Sequence, residues 1–165
     1  MHLLKIEKMK DCRFEFFMRG KENVYGCLGR AEEIKQKVKE IIEVLWFANK
    51  TIKSITCGDH HTLAIIEHMK PEKDALIQLK AGESVMGFGY NYQGQVTGYK
   101  REEEEVSHKM LPSLIPLFEK RRVSHIAAKM SRSVCVTQNL EVYEWGGLSF
   151  DELDYQDKSP IRKIH

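Results

Sequence analysis

Two stretches of this chain carry the same apolar pattern at a constant offset of 71 residues, which restricts the fold to architectures that stack copies of one unit. The first is Thr51-Ile52-Lys53-Ser54-Ile55-Thr56-Cys57-Gly58-Asp59-His60-His61-Thr62-Leu63-Ala64-Ile65. The second is Arg122-Val123-Ser124-His125-Ile126-Ala127-Ala128-Lys129-Met130-Ser131-Arg132-Ser133-Val134-Cys135-Val136. Both are rich in β-branched residues and carry turn-forming residues midway, which predicts two strands joined by a hairpin in each.

The offset persists upstream, where Ile41, Val44 and Phe47 fall on Pro112, Ile115 and Phe118. Alone, Ala31 to Lys50 shows near-helical apolar spacing at Ile34, Val38, Ile41, Ile42 and Leu45. Its counterpart contains Pro112 and Pro116, and two prolines would break a regular helix. Ile41 to Phe47 is therefore expected to be extended, with a helical turn left only to Glu32 to Glu40.

Downstream, Val85 to Gly89 matches Glu141 to Gly146 when Gly89 is set on Gly146, at a spacing of 57. The shortfall places an insertion between Ile66 and Gly82, where polar residues and Pro71 signal a lengthened hairpin loop. Its Leu76, Ile77 and Leu79 are candidate contact residues for a partner, since long loops on a rigid scaffold are where such folds place specificity. An earlier partial copy runs from Phe16 to Gly29. The expected organisation is one domain over 1–165. Its units cover about 1–30 (the end of a repeat), 41–98 (a repeat with the 66–82 insertion) and 111–150 (a degenerate repeat). Residues 151–165 form a tail or the start of a further repeat.

These residues resemble the regulator of chromosome condensation repeat. Ile52 to Ile65 fits its I-x-x-I-x-C-G-x-x-H-T-x-A-L section, and Gly89-Tyr90-Asn91-Tyr92-Gln93-Gly94-Gln95-Val96 fits its G-x-N-x-x-G-Q-L section. Val142-Tyr143-Glu144-Trp145-Gly146 repeats the segment leading into the latter. The resemblance implies an all-β fold, a partial β-propeller of about two to three four-stranded antiparallel blades. It assigns structural roles to Cys57, Gly58, His61, Phe88, Gly89, Asn91, Gly94, Gln95, Trp145 and Gly146. The match departs at Phe88, where tryptophan is usual, and at Lys129 to Arg132, which lack the motif's glycine and histidine.

Metal binding is the alternative for Cys57, His60 and His61. In one continuous strand Cys57 and His61 would point to one face and His60 to the other, so the three would not converge. The motif gives His61 the part of a buried, hydrogen-bonded group, and no metal or other cofactor is expected. Gly87-Phe88-Gly89 lacks the third glycine of a dinucleotide loop, because Tyr92 stands there. No Gly-x-Ser-x-Gly, His-Glu-x-x-His or phosphate-binding loop occurs, and Glu102 to Glu105 lie in a charged run without apolar surroundings. No catalytic residues, and no enzyme, are expected.

A formal charge of +2 gives no field to hold nucleic acid or an anionic membrane. The apolar run at the start is broken by Lys5 and Glu7, so neither a secretory leader nor a membrane span is expected there. Scattered Cys12, Cys27, Cys57 and Cys135 suit reduced thiols inside a cell, in the cytoplasm or cytoskeleton, a cilium included, ahead of the nucleus. The expected function is a non-catalytic protein-interaction scaffold in a larger assembly, whose partners are other protein chains that complete or cover an open propeller. The resemblance also implies two alternatives: guanine nucleotide exchange on a small GTPase of the Ran type, and chromatin binding.

Overall fold

A computed structural model describes residues 3–8, 14–19, 25–29, 42–48, 50–68, 72–73, 78–79, 82–98, 108–118, 121–147 and 161–165. The first sheet joins β1 (Leu3–Lys8), β2 (Phe14–Arg19) and β3 (Ile42–Glu43). The second begins with β4 (Thr51–Cys57) and β5 (His61–His68). A small hairpin of β6 (Glu72–Lys73) and β7 (Gln78–Leu79) interrupts it, and β8 (Gly82–Tyr90) and β9 (His108–Leu114) complete it. The third joins β10 (Val123–Lys129), β11 (Arg132–Thr137), β12 (Val142–Gly146) and β13 (Arg162–Lys163). Every pairing is antiparallel between neighbours in order.

The outer strand of the first two sheets is contributed by the chain as it heads for the next, β3 pairing with β2 and β9 with β8, and β13 takes the same edge position on β12. The first and second sheets are thus hydrogen-bonded to residues that lead into the sheet that follows.

Alternation along β5 shows why the sheets stack. Ala64 and Ile66 face one cluster, with Met18, Leu28, Val44, Phe47, Met86 and Phe88. Leu63 and Ile65 face the other, with Val85, Ile115, Phe118, Val123, Cys135, Tyr143 and Trp145. A period of two sends successive side chains to opposite faces, so an unbroken apolar run marks a strand covered on both sides. The first cluster lies between the first and second sheets, the second between the second and third. The repeat recurs inside both: Phe47 lies 5.9 Å from Phe88, and Phe118 lies 5.3 Å from Trp145.

Two expectations are corrected. In the described part of Ile41 to Phe47, Ile42–Glu43 is strand and Leu45–Phe47 is a 3-10 turn, while Ile41 and the helical turn expected for Glu32 to Glu40 lie outside the described residues. The counterpart does the same, β9 ending at Leu114 and a 3-10 turn following over Pro116–Phe118. Pro116 opens that turn, where its missing N–H has no intrahelical partner to lose and its fixed φ suits the helical region. Each turn swings an aromatic, Phe47 or Phe118, into the core.

Cys57 and His61 do not share a strand face. A tight turn separates them, with the Gly58 N–H donating to the His61 carbonyl at 2.9 Å. Cys57 pairs with Thr62, whose Oγ1 lies 3.5 Å from the Cys57 Sγ, so His61 points the other way. The equivalent turn of the third sheet lacks glycine, and Met130 takes a left-handed φ of 51° there. A side chain in that region costs about 1 kcal/mol.

Candidate functional site

The chemistry-bearing residues gather at the two junctions between sheets. At the second junction, Asn91 braces the loop that leaves β8. Its Oδ1 accepts from the Val96 and Thr97 N–H groups at 2.9 and 3.0 Å, and its Nδ2 donates to the Thr97 hydroxyl at 3.0 Å. The Gly94 N–H donates to the Asn91 carbonyl, with Gly94 itself at a φ of 74°. The Gln95 side-chain oxygen accepts from the Gln93 N–H at 2.9 Å. So held, the loop delivers the Gln95 carbonyl to the third sheet, where the Ser133 hydroxyl and the Trp145 indole N–H donate to it at 2.7 and 3.0 Å.

His61 completes this network. It is fully buried, with Nε2 at 2.8 Å from the Ser133 Oγ. Ser133 gives its one proton to the Gln95 carbonyl, so Nε2–H of His61 is the donor to Oγ. That tautomer leaves Nδ1 a bare acceptor, and Nδ1 is buried with no hydrogen-bond partner among the described residues. Burial pushes the imidazole pKa down to about 4, so the ring is neutral at ordinary pH. A Cβ on Gly58 would stand against the His61 ring and 2.5 Å from the Met130 carbonyl, which restricts position 58 to glycine.

The first junction repeats the arrangement with fewer donors. Thr62, 71 residues before Ser133, donates through its hydroxyl to the Cys27 carbonyl at 2.9 Å. Phe88 replaces Trp145 there and has no N–H to add. Gly89 and Gly146 sit at φ of 107° and 73°. A Cβ on Gly146 would meet the Ser131 carbonyl at 2.5 Å and Gln95 Cα at 2.7 Å. One on Gly89 would collide with the His60 carbonyl and lie 3.2 Å from Cys27 Cα. Both glycines allow the same close approach of three backbone segments.

Cys57 is half-buried at the end of β4, its thiol pKa raised by burial. Cys135 is buried, its thiol pushed up to about 12 by the same cause, so neither is an activated nucleophile. Among the described residues no group of three His, Cys, Asp or Glu side chains could hold a metal ion. No helix among them is long and apolar enough to cross a membrane. Of the candidate contact residues, Leu79 lies in β7, paired with Glu72, and Leu76 and Ile77 fall outside the described residues. Sequence reasoning missed Ser133, which carries the link to His61. Its constant offset from Thr62 was the available signal.

Successive antiparallel sheets stacked face to face, two of them four-stranded, define the chain as a partial β-propeller. No protein-family model matches it. It is 29% identical over 148 residues to the protein RCC1 of Candida albicans, and 30% identical over 108 residues to the ultraviolet-B receptor UVR8 of Arabidopsis thaliana. These matches cover 85% and 66% of the chain but 29% and 20% of the relatives' lengths. Among solved structures, human WBSCR16 matches at a TM-score of 0.58 and 17% identity, over 93% of this chain and 37% of that one. Yeast RCC1 (Prp20), solved with Kap60 bound, matches at 0.57 and 20%, over 97% and 36%. The chain is built from repeats like those of the regulator of chromosome condensation, in about two to three blades.

Proposed function

We propose that the chain is a non-catalytic protein-interaction scaffold whose third sheet receives a blade from another protein chain. The observation that carries this reading is the fate of one face. In the second sheet, Leu63, Ile65 and Val85 are buried by the sheet that follows. Their repeat equivalents in the third, Val134, Val136 and Val142, are only half-buried. A repeat unit cannot bury such a face without a neighbour or cap.

The face is not a plain copy of the covered one. Arg132 stands where His61 stands in the second sheet, and Glu144 where Gly87 stands. At Gly87 a Cβ would come within 2.9 Å of Val96, so the absence of a side chain there admits the bracing loop. A blade docking on the third sheet instead meets a carboxylate at 144 and a guanidinium at 132, which favours a partner with complementary charges over a generic blade. Val136→Asp tests the reading: it is expected to abolish association of the chain through this face while leaving its fold intact, and unaltered association would overturn it.

The alternative that the family resemblance implies is guanine nucleotide exchange on a small GTPase of the Ran type. Release of labelled GDP from such a GTPase above background would support exchange, and background release would exclude it. Placement in the cytoplasm or cytoskeleton is part of the same proposal and is read by imaging the tagged protein in cells.

A further inference from the structure

Three rings from separate parts of the chain meet at the end of the sheets where the β4–β5 turn and the exit of β8 emerge. Tyr25 lies 4.7 Å from Tyr90 and 5.5 Å from His60, with planes inclined at 55° and 74°. Tyr92 lies 6.2 Å from Tyr90 and nearly parallel to it, at 18°. The cluster is open to solvent: Tyr92 is 41% exposed, His60 is exposed, and Tyr25 and Tyr90 are half-buried. Its backbone is fixed, because the Tyr90 N–H donates to the His60 carbonyl at 2.7 Å beside the close approach at Gly89. Asp59, also exposed, precedes His60 in the turn.

The repeat separates what the fold requires from what it does not. Fold-keeping features recur at both junctions: Phe47 and Phe118, Thr62 and Ser133, Gly89 and Gly146. At the second junction the positions of Tyr25, His60 and Tyr90 are held by Gln93, Ser131 and Gly147, and none is aromatic. The same backbone is therefore built without these rings. Packing does not explain an aromatic surface that one junction carries and its twin does without, so the rings serve something outside the fold.

We propose that the Tyr25, His60, Tyr90 and Tyr92 surface docks an arginine side chain presented by a loop or tail of a partner protein. Each tyrosine ring offers a negative face that attracts a guanidinium within about 6 Å of its centroid, and the His60 ring adds a flat surface beside Tyr25 for it to pack on. The rings stand close enough for one cation to reach more than one of them, and Tyr90 and Tyr92 present near-parallel planes suited to stacking a planar guanidinium. Tyrosine hydroxyls accept its N–H groups, and the Asp59 carboxylate supplies opposite charge at the rim. Burial and the adjacent Tyr25 and Tyr92 raise the Tyr90 phenol pKa, which keeps that hydroxyl neutral. An anionic ligand would meet ring faces and a carboxylate of its own sign.

The proposal rests on the protein-interaction reading but uses a different surface from the third-sheet face, so each fails separately. The test is fluorescence anisotropy of a labelled arginine-glycine repeat peptide titrated with the full chain at physiological salt, beside the same peptide with citrulline for arginine. Citrulline keeps the shape and loses the charge. Tyr92→Ala and His60→Ala are each expected to weaken binding roughly fivefold, and citrulline by at least as much. Tyr92→Phe should keep most of the affinity, because it keeps the ring face. Leu140→Ala, in the distant β11–β12 turn, should change nothing. Binding that persists in Val136→Asp shows that this surface acts independently of the sheet face. No binding up to about 1 mM peptide, equal affinity for the citrulline peptide, or indifference to both alanine variants would overturn the proposal.

Discussion

His61 is the residue at which sequence motif, packing and titration meet. Its unfolded form takes a proton near pH 6.5 and its folded form near 4, so between these values the unfolded state holds more protons. Stability contributed by the neutral ring is therefore complete above pH 6.5 and lost as pH falls toward 4, by about 3 kcal/mol for a shift of this size. Chemical denaturation across that window should show the loss in the wild-type chain and a flatter profile in His61→Asn; identical slopes would refute the assignment. Gly89 is the second test at this scale. Its φ of 107° and the backbone atoms facing it leave no room for a methyl group, so Gly89→Ala should cost ~2 kcal/mol or more by urea titration. The glycines of the motif were legible because the repeat aligned them. The His61 to Ser133 bond was not, since it depends on how two sheets abut and not on the pattern within either. For the same reason Tyr25, His60 and Tyr90, drawn from two turns and the end of β8, gave no sign in the sequence that they would meet.

Among elements, the short 3-10 turns do more than connect. Each carries an aromatic residue into the core between sheets, Phe47 into the first cluster and Phe118 into the second. Phe118→Ala should therefore destabilise the chain by roughly 3–5 kcal/mol, whereas Leu140→Ser, at a 73% exposed position, should stay within about 0.5 kcal/mol. Ser133→Ala leaves His61 Nε2 without its acceptor and should cost ~1–3 kcal/mol, readable in the same melts. The strands of the second and third sheets were legible from β-branched runs between turn signals. The 3-10 turns were not, because three residues are too few to show a helical period, and the prolines that exclude a long helix permit a short turn. The turn between Cys57 and His61 was legible from Gly58 and the polar residues after it; which face each of the two residues takes was not, because that depends on how many residues the turn holds.

Across the whole chain, sheets of one kind cover one another in succession, and the proposed function leaves the outer face of the third sheet to a blade from a partner. The constant offset of 71 made the stacking legible. It could not show which face remains open, because the residues that differ there, Arg132 and Glu144, matter only once the sheets are laid side by side. Sedimentation velocity of the purified 165-residue chain over a range of concentrations tests the claim most directly. Self-association that grows with concentration is expected, as the half-buried valines find cover on one another, and Val136→Asp should abolish it. A soluble monomer at every concentration, unfolding in a single cooperative transition, would contradict it.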